Sequence, residues 1–423
     1  MEEISGLNFK NVIQGARRIY VQGSASTPLF LLDMLKESLS NEMDLSLYHI
    51  ELGGGVFLFD PSVPLPKGLI DYSLFVGKNA RKAVEIGRTQ YIPMFLSEIP
   101  WFLRNHVKPD VSLINTTIPD RRGFVSLGPT VEATKVAVEL SKIVVAQFND
   151  LIPKTFGDSI ISTNMIDYYL KCSQKPVESK REERDSADEK IGMNVAKLIP
   201  NEATIQSGIG RIPDAAMVAL KDRKHLGIHT ELFSDGMMDL VLSGAVDNCY
   251  KNTDRYQVVA TFSKGEQKLY DFLDENPLIQ MKSVEYTNDT SIIRKNSLTH
   301  SINSAVEVDV TGQISAESVG PRIISGVGGQ MDFVRGASLS QGGKSIIAIR
   351  SKTNSGESKI VPTLKVGSGV TTTRNHVQFV VTEHGVADLR GKSIKERVEE
   401  MVTIADPKFM NQIYEESKKI YKL

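Results

Sequence analysis

Short apolar runs alternate with amphipathic stretches along the N-terminal half of the chain. The runs at 18–21, 45–50 and 72–76 have the length and composition of buried strands. The stretches at 28–38 and 131–141 have the turn and capping residues that open helices. Alternation of strands and helices is typical of an α/β domain.

The same pattern restarts in the C-terminal half. It predicts strands at 203–207, 345–349 and 378–382, and helices at 191–198 and 213–220. We therefore expect two tandem open α/β/α domains with mostly parallel sheets and an active site between them.

A charged segment separates the two halves. Residues 173–190 contain almost no apolar side chains and many charges of both signs. Because the 423 residues exceed the roughly 250 to 300 at which a single core stops growing, two domains are expected. We place an N-terminal domain at 1–180 and a C-terminal domain at 181–423. A solvated helix face would explain the charges without any binding role.

The composition excludes several classes of protein. The formal net charge is -1, so no basic excess indicates a nucleic-acid partner. Cys172 and Cys249 lack CxxC spacing, which suggests two packing residues rather than a disulfide or zinc site. The acidic start of the chain and the absence of an apolar run of roughly 18 residues favour a cytoplasmic protein that does not span a membrane.

A glycine loop follows the predicted strand at 203–207 and opens the next helix. Backbone N–H groups at such a turn can bind an anion or stabilise an oxyanion. The loop lacks the third glycine of a dinucleotide-binding fingerprint, and a purely structural role stays open. The candidate residues are Gln206, Ser207, Gly208, Ile209 and Gly210.

A glutamate lies between apolar residues in the run His229–Gly236. Glu231 is expected to be partly buried there, and a buried carboxylate must be paired, protonated or held for chemistry. A structural salt bridge is the alternative to a catalytic role for Glu231. Asp235 follows in the same run.

Two further clusters belong to the candidate site. A run with three glycines in four residues suggests close approach of a ligand, and its candidates are Gly326, Val327, Gly328, Gly329 and Gln330. Glu383 and His384 come directly after the apolar strand at 378–382, where α/β proteins collect polar groups. No HExxH or paired histidine spacing accompanies them, so no metal site is expected.

Together and in this order, these four motifs resemble the acetyl-CoA hydrolase/transferase family, especially its 4-hydroxybutyrate and butyrate:acetate CoA-transferase branch. The family pattern (His/Tyr)-Thr-Glu-x-x-x-Asp-Gly begins at His229 and makes Glu231 the nucleophile. The resemblance also assigns oxyanion donors to Ile209 and to Gly328 with Gly329. It implies that the two glycine loops bind CoA, and that Glu383, His384 and Asp235 position the substrate or the nucleophile.

The resemblance implies a ping-pong exchange of CoA between a short-chain acyl-CoA and a free acid (acetate, 4-hydroxybutyrate or butyrate). Coenzyme A and acyl-CoA are then substrates, no cofactor is bound permanently, and a homodimer is expected. The N-terminal domain would hold the carboxylate pocket, near the loop at 23–28. An acetyl-CoA hydrolase that uses the same glutamate is the first alternative, and a non-catalytic acyl-CoA-binding protein is the second.

Overall fold

The computed structural model describes residues 1–423, apart from the side chains of residues 6 and 7. The chain forms two compact units, each made of three segments. The first contains Met1–Lys180, Val259–Thr287 and Ile323–Gly328, and the second contains Arg181–Val258, Asn288–Arg322 and Gly329–Leu423. Each unit has its own large sheet with mostly parallel pairing, which confirms the expected fold class.

The first unit is built around an eight-stranded sheet whose neighbouring strands all pair in parallel. Every residue of the central strand Val111–Thr116 is buried, as expected for a parallel strand that is covered on both faces. In spatial order the strands are Glu2–Glu3, Tyr168–Cys172, Ile143–Asn149, Val111–Thr116, Arg18–Val21, Leu45–His49, Leu69–Ser73 and Thr89–Tyr91.

Helices cover this sheet with apolar faces. The helix Leu29–Ser38 buries Leu31, Leu32 and Leu35 in the same core cluster as strand residue Ile19. The α-helices of the unit are Gly6–Val12, Leu29–Ser38, Arg81–Glu85, Ile99–Phe102, Thr134–Leu140, Gln267–Leu273 and Val284–Thr287. Its short 3-10 and π segments are Phe57–Phe59, Leu96–Glu98, Leu103–Val107 and Thr163–Met165. Its short strands outside the sheet are Phe124–Ser126, Phe156–Gly157, Ile160–Ser162, Phe262–Ser263 and Ile279–Met281.

The second unit is built around a six-stranded sheet. Its first five strands pair in parallel, and the last two form an antiparallel hairpin. In spatial order the strands are Gly227–Ile228, Thr204–Ser207, Thr299–Ser304, Lys344–Ala348, Phe379–Thr382 and Gly385–Asp388. The shorter strands of this unit are Leu232–Phe233, Glu307–Asp309, Ile314–Ser315, Ser318–Val319 and Ile360–Val361. Two further strands, Val258–Ala260 and Arg322–Ile323, each contain a sequence boundary between the two units.

A capping box begins the first helix of this unit. The Asp185 carboxylate accepts hydrogen bonds from the N–H groups of Ala187 and Asp188, and Asp188 accepts one from the N–H of Asp185. Arg350 donates to both oxygens of the fully buried Asp188, at 2.8 and 2.6 Å, which ties this helix to the end of the strand Lys344–Ala348.

The helices of the second unit are Ser186–Ala196, Arg211–Ala219, Asp235–Leu242, Thr290–Ile293, Gln330–Leu339, Ile394–Thr403 and Met410–Tyr421. Within the described part of the chain, which includes both units, no helix has the length and apolar character needed to cross a membrane.

Because five strands of this sheet are parallel, their carboxyl ends lie at one edge. Each of the five strands carries one residue or loop at or just beyond its carboxyl end: the Gly208 loop, Glu231, Asn303, Arg350 and Glu383. This edge, the carboxyl edge of the second sheet, is where open α/β folds bind ligands.

Candidate active site

Glu231 lies three residues beyond the edge strand Gly227–Ile228. The chain leaves that strand, passes Glu231 and the short strand Leu232–Phe233, and enters the helix Asp235–Leu242. Glu231 is partly buried, as the apolar residues around it in the sequence led us to expect. Its carboxylate is therefore held at the carboxyl edge by structured backbone on both sides.

One amide joins Glu231 to a second carboxylate. Asn288 Nδ2 lies 3.1 Å from Glu231 Oε2 and 3.1 Å from Asp332 Oδ2. Asn288 and Asp332 are buried, at 1% and 6% exposed. The amide donates to both acids, which fixes the direction of the Glu231 carboxylate.

The surroundings of Glu231 raise its pKa to about 7. Burial is the main cause because it disfavours the charged form, and the charge of Asp332 adds to it. Hydrogen bonds from Asn288 and from the Gly329 backbone act in the opposite direction. The carboxyl group therefore changes charge near neutral pH, where a weakly solvated carboxylate is a better nucleophile than one in water.

Gly329 lies directly against this carboxylate. A Cβ at residue 329 would overlap Glu231 Oε2 and Asn288 Nδ2, so no other residue fits without displacing one of them. The absence of a side chain is thus what allows the backbone N–H to reach the carboxylate.

The first glycine loop is anchored by its neighbours in the sheet. Gln206 and Asn303 exchange two amide hydrogen bonds, at 3.2 and 3.1 Å, so the buried Gln206 side chain supports the loop from within the sheet. The Ser207 N–H donates to Thr230 Oγ1, and the Gly208 N–H donates to the Ile302 carbonyl.

The tip of that loop, in contrast to its anchored base, is exposed to solvent. Ile209 is 49% exposed. Within the described chain, its N–H and that of Gly210 donate no hydrogen bond. The loop therefore offers donors at the start of the helix Arg211–Ala219.

The second glycine run is divided between the two units. Gly326, Val327 and Gly328 belong to the first unit, where the Val327 N–H donates to Tyr91 Oη and the Gly328 carbonyl accepts from the Leu96 N–H. Gly329 and Gln330 belong to the second unit. Gln330 donates to Thr372 Oγ1 at 3.3 Å and begins the helix Gln330–Leu339.

Glu383 lies at the same edge but far along it. Its two oxygens accept from the Ser351 N–H at 3.0 Å and the Ser351 hydroxyl at 2.6 Å, and His384 Nε2 lies 3.8 Å from Oε1. The strands that precede Glu231 and Glu383 are four places apart in the sheet, or roughly 19 Å at about 4.8 Å per strand. A direct contact between the two glutamates is therefore excluded, and a salt bridge from Glu383 to Arg390 is not what holds it.

Asp235 is in the first turn of the helix Asp235–Leu242. There it complements the helix dipole, and Arg181 Nε lies 3.8 Å from its carboxylate.

Asn288 and Asp332 were not among the residues singled out from the sequence. Asp332 lies in the same glycine-rich run as Gly329, and as the acidic residue in the first turn of a helix it could have been included. Asn288 gives no such signal, because its partners are 57 and 44 residues away along the chain.

Comparison with known proteins covers nearly the whole chain. The N-terminal domain model of the acetyl-CoA hydrolase/transferase family matches residues 5–178, and the C-terminal domain model matches residues 265–417. The succinyl-CoA:acetate/propanoyl-CoA:succinate CoA transferase of Fasciola hepatica is 43% identical over 401 residues, which are 93% of this chain and 83% of that protein. The 4-hydroxybutyrate coenzyme A transferase of Clostridium kluyveri is 41% identical over 410 residues, covering 96% and 95%.

More distant relatives include hydrolases. The acetyl-CoA hydrolase of Kluyveromyces lactis is 26% identical over 378 residues, covering 77% of this chain and 71% of that protein. Among solved structures, RipA from Yersinia pestis has a TM-score of 0.91 at 28% identity and covers 100% of this chain and 98% of its own. The nearer relatives confirm the expectation of a CoA-transferase enzyme. With both domain models matched and more than 40% identity over most of its length, the chain belongs to the acetyl-CoA hydrolase/transferase family.

Proposed function

We propose that the protein moves CoA between a short-chain acyl-CoA and a free carboxylate through a glutamyl-CoA thioester on Glu231. The observation that carries this is the Glu231 carboxylate, held by Asn288 Nδ2 at 3.1 Å and lying against the backbone of Gly329. A carboxylate held in this way can approach a carbonyl carbon without first having to be oriented, which lowers the entropic part of the barrier.

In the first half-reaction a Glu231 oxygen attacks the thioester carbonyl, and the C–S bond breaks to give a mixed anhydride and the CoA thiolate. The thiolate then attacks the glutamyl carbonyl, and the donor acid leaves as its carboxylate. The second acid reverses both steps and regenerates the Glu231 carboxylate. Covalent catalysis thus divides one difficult displacement into easier ones.

Negative charge develops on the carbonyl oxygen in each attack. We assign its stabilisation to the Ile209 N–H at the loop tip and to an N–H of Gly328 or Gly329. Removal of one such donor costs on the order of 2.7 to 4 kcal/mol in enzymes where it has been measured. Gly329 also stabilises the ionised nucleophile through its hydrogen bond to Glu231.

We further propose acetate as one acid and 4-hydroxybutyrate or butyrate as the other, and a homodimer in the cytoplasm. The names of the nearer relatives support the acids. The family resemblance supports the dimer, and the intracellular occurrence of CoA thioesters supports the compartment. The exchange balances in atoms and charge without a metal or redox group, so no resident cofactor is required.

Trapping tests the intermediate. The protein is incubated with acyl-CoA alone and treated with borohydride, which reduces a glutamyl thioester to an alcohol. We expect loss of activity and a mass change on the peptide that contains Glu231. Glu231→Gln should give neither exchange nor the mass change. Glu202→Gln is the matched control, since exposed Glu202 precedes the strand Thr204–Ser207 at the opposite edge, and it should behave like the parent.

A second assay separates transfer from hydrolysis. CoA release from acetyl-CoA is measured with and without butyrate or 4-hydroxybutyrate as acceptor. Turnover that depends on the acceptor supports the transferase. Equal release without any acceptor would identify a hydrolase, and a modified residue other than Glu231 would overturn the proposed nucleophile.

A further inference from the structure

A histidine, an aspartate and a cysteine of the second unit converge on its surface, away from the residues assigned to CoA exchange. His225 Nδ1 lies 2.7 Å from Asp247 Oδ2 and 3.8 Å from Cys249 Sγ. One ligand atom from each of the three residues lies within 4.8 Å of the others. The sequence led us to expect that Cys249 is a packing residue, but His225 approaches it from 24 residues earlier in the chain. We propose that His225, Asp247 and Cys249 form a binding site for Zn²⁺.

The backbone holds these three residues in place. The Leu226 N–H donates to the Ala245 carbonyl, and the Leu226 carbonyl accepts from the Asp247 N–H, so the two segments run side by side. His225 takes a left-handed conformation, with φ of +59°, which is uncommon for a residue with a side chain. The ring already faces Asp247, at hydrogen-bond distance from its carboxylate.

The second segment is also ordered. Asp247 Oδ1 accepts from the Cys249 N–H at 3.0 Å, which leaves Oδ2 for His225. Arg255 Nε donates to the Cys249 carbonyl at 3.0 Å and fixes the turn from the other side. The thiol and the carboxylate therefore face the imidazole from two residues of one tight turn.

The distances suit a tetrahedral zinc ion. Zn–S and Zn–N bonds of about 2.3 and 2.0 Å at a tetrahedral angle separate sulfur and nitrogen by about 3.5 Å, close to the 3.8 Å here. A mixture of thiolate, imidazole and carboxylate ligands selects zinc over magnesium or calcium, which prefer oxygen. Binding would replace the His–Asp hydrogen bond and release the thiol proton to solvent.

Three protein ligands leave a fourth position for water. The His225 and Asp247 side chains are 51% and 43% exposed, so an ion can enter from solvent without any movement of the fold. His225 comes just before the strand Gly227–Ile228, and Asp247 is hydrogen-bonded to Leu226 at that same end, whereas Glu231 follows the other end of the strand. The proposal therefore stands independently of CoA exchange.

The chain offers a matched control, because it has only two cysteines and Cys172 belongs to the first unit. The purified full-length protein is titrated with Zn²⁺ by calorimetry, and with Co²⁺ to detect the absorption band of a metal–thiolate bond. We expect one ion per chain and a thiolate band in the parent and in Cys172→Ser. Cys249→Ser should lose the band, and both it and His225→Ala should bind Zn²⁺ at least roughly 100-fold more weakly.

Because all three side chains are at the surface, the variants should keep the melting temperature of the parent in the absence of metal. The proposal is overturned if the parent binds no Zn²⁺. It is also overturned if Cys249→Ser binds as tightly as Cys172→Ser, or if Co²⁺ binds without a thiolate band.

Discussion

Replacing Asn288 with alanine removes the amide that Glu231 and Asp332 share. A hydrogen bond to a charged group is worth about 1.5 to 3 kcal/mol. At 1.36 kcal/mol per pKa unit, its loss should raise the pKa of Glu231 by roughly one to two units above its starting value of about 7. The two carboxylates would also lose the donor between them, which acts in the same direction.

The sign follows from the chemistry of the proposed attack. Glu231 must be ionised to act as a nucleophile, so kcat/KM should rise as the pH increases through its pKa. For the Asn288→Ala variant we expect this rise to move to higher pH by one to two units. At pH 7 the variant should be slower by roughly 5- to 50-fold, since a smaller fraction of the nucleophile is ionised. Most of the loss should be recovered at high pH.

The assay is acyl-CoA exchange with a saturating acceptor, measured from pH 5 to 10 within the range in which the protein stays folded. Asn296→Ala is the control. Asn296 is also a buried amide, and it accepts from the backbone of Asn252 and Thr253 away from Glu231. It should lower the melting temperature and leave the pH profile in place. A uniform loss in Asn288→Ala at every pH, with no displacement of the profile, would refute this reasoning and assign Asn288 a purely geometric role.

Three further variants test other parts of the second unit. Glu231→Gln should be more stable than the parent above pH 7, by about 1 to 3 kcal/mol in urea unfolding, and equally stable near pH 4. The reason is that a carboxyl pKa raised to about 7 lowers the stability of the native parent as the pH rises from 4.5 to 7. Equal stability of the two proteins at both pH values contradicts this. If Glu383 positions the substrate, Glu383→Ala should lower kcat/KM at least roughly 100-fold with little change in melting temperature, while Ser351→Ala keeps most of the exchange activity. Near-normal kinetics in a destabilised Glu383→Ala protein would instead show that the contact between Glu383 and Ser351 is structural. Lys251 is buried, and desolvation lowers its pKa to about 7. The parent should therefore gain up to about 1.4 kcal/mol of stability per pH unit between pH 7 and 10 relative to Lys251→Met. Stability curves of the two proteins that run parallel over this range would rule out the lowered pKa.

The regular elements of the fold could be predicted from local pattern. The strands predicted at 18–21, 203–207 and 345–349 are observed as Arg18–Val21, Thr204–Ser207 and Lys344–Ala348. Each of them is short and largely buried in a parallel sheet, and two of the three are mostly apolar, which is the context in which composition predicts a strand. The helix expected at 191–198 instead begins at Ser186, because Asp185 caps it within a segment that is polar on one face.

The contacts of the site could be predicted only in part. The motif around Glu231 identified a partly buried carboxylate, since its apolar neighbours are adjacent in sequence. The shared amide of Asn288 was not predictable, because it depends on two loops that meet only in the folded unit. Gln206 shows the reverse: its place in a glycine loop suggested a ligand contact, but pairing with Asn303 across two neighbouring strands occupies the side chain.

The interleaving of the two units has a consequence for how the protein is made. During translation Glu231 is synthesised first, then Asn288 and then Asp332. The first unit is incomplete until residue 328 has emerged from the ribosome. All eight strands of the first sheet lie within residues 2–172, but the unit around that sheet also needs Val259–Thr287 and Ile323–Gly328, and the second sheet needs strands up to residue 388. Neither unit can therefore be completed while the chain is only half synthesised. Contacts between residues so far apart in sequence form slowly. Nascent chains should expose buried strands such as Thr204–Ser207 until the partner strand Thr299–Ser304 has been made. Their yield in cells should therefore depend on chaperones more than the size of either unit alone would suggest.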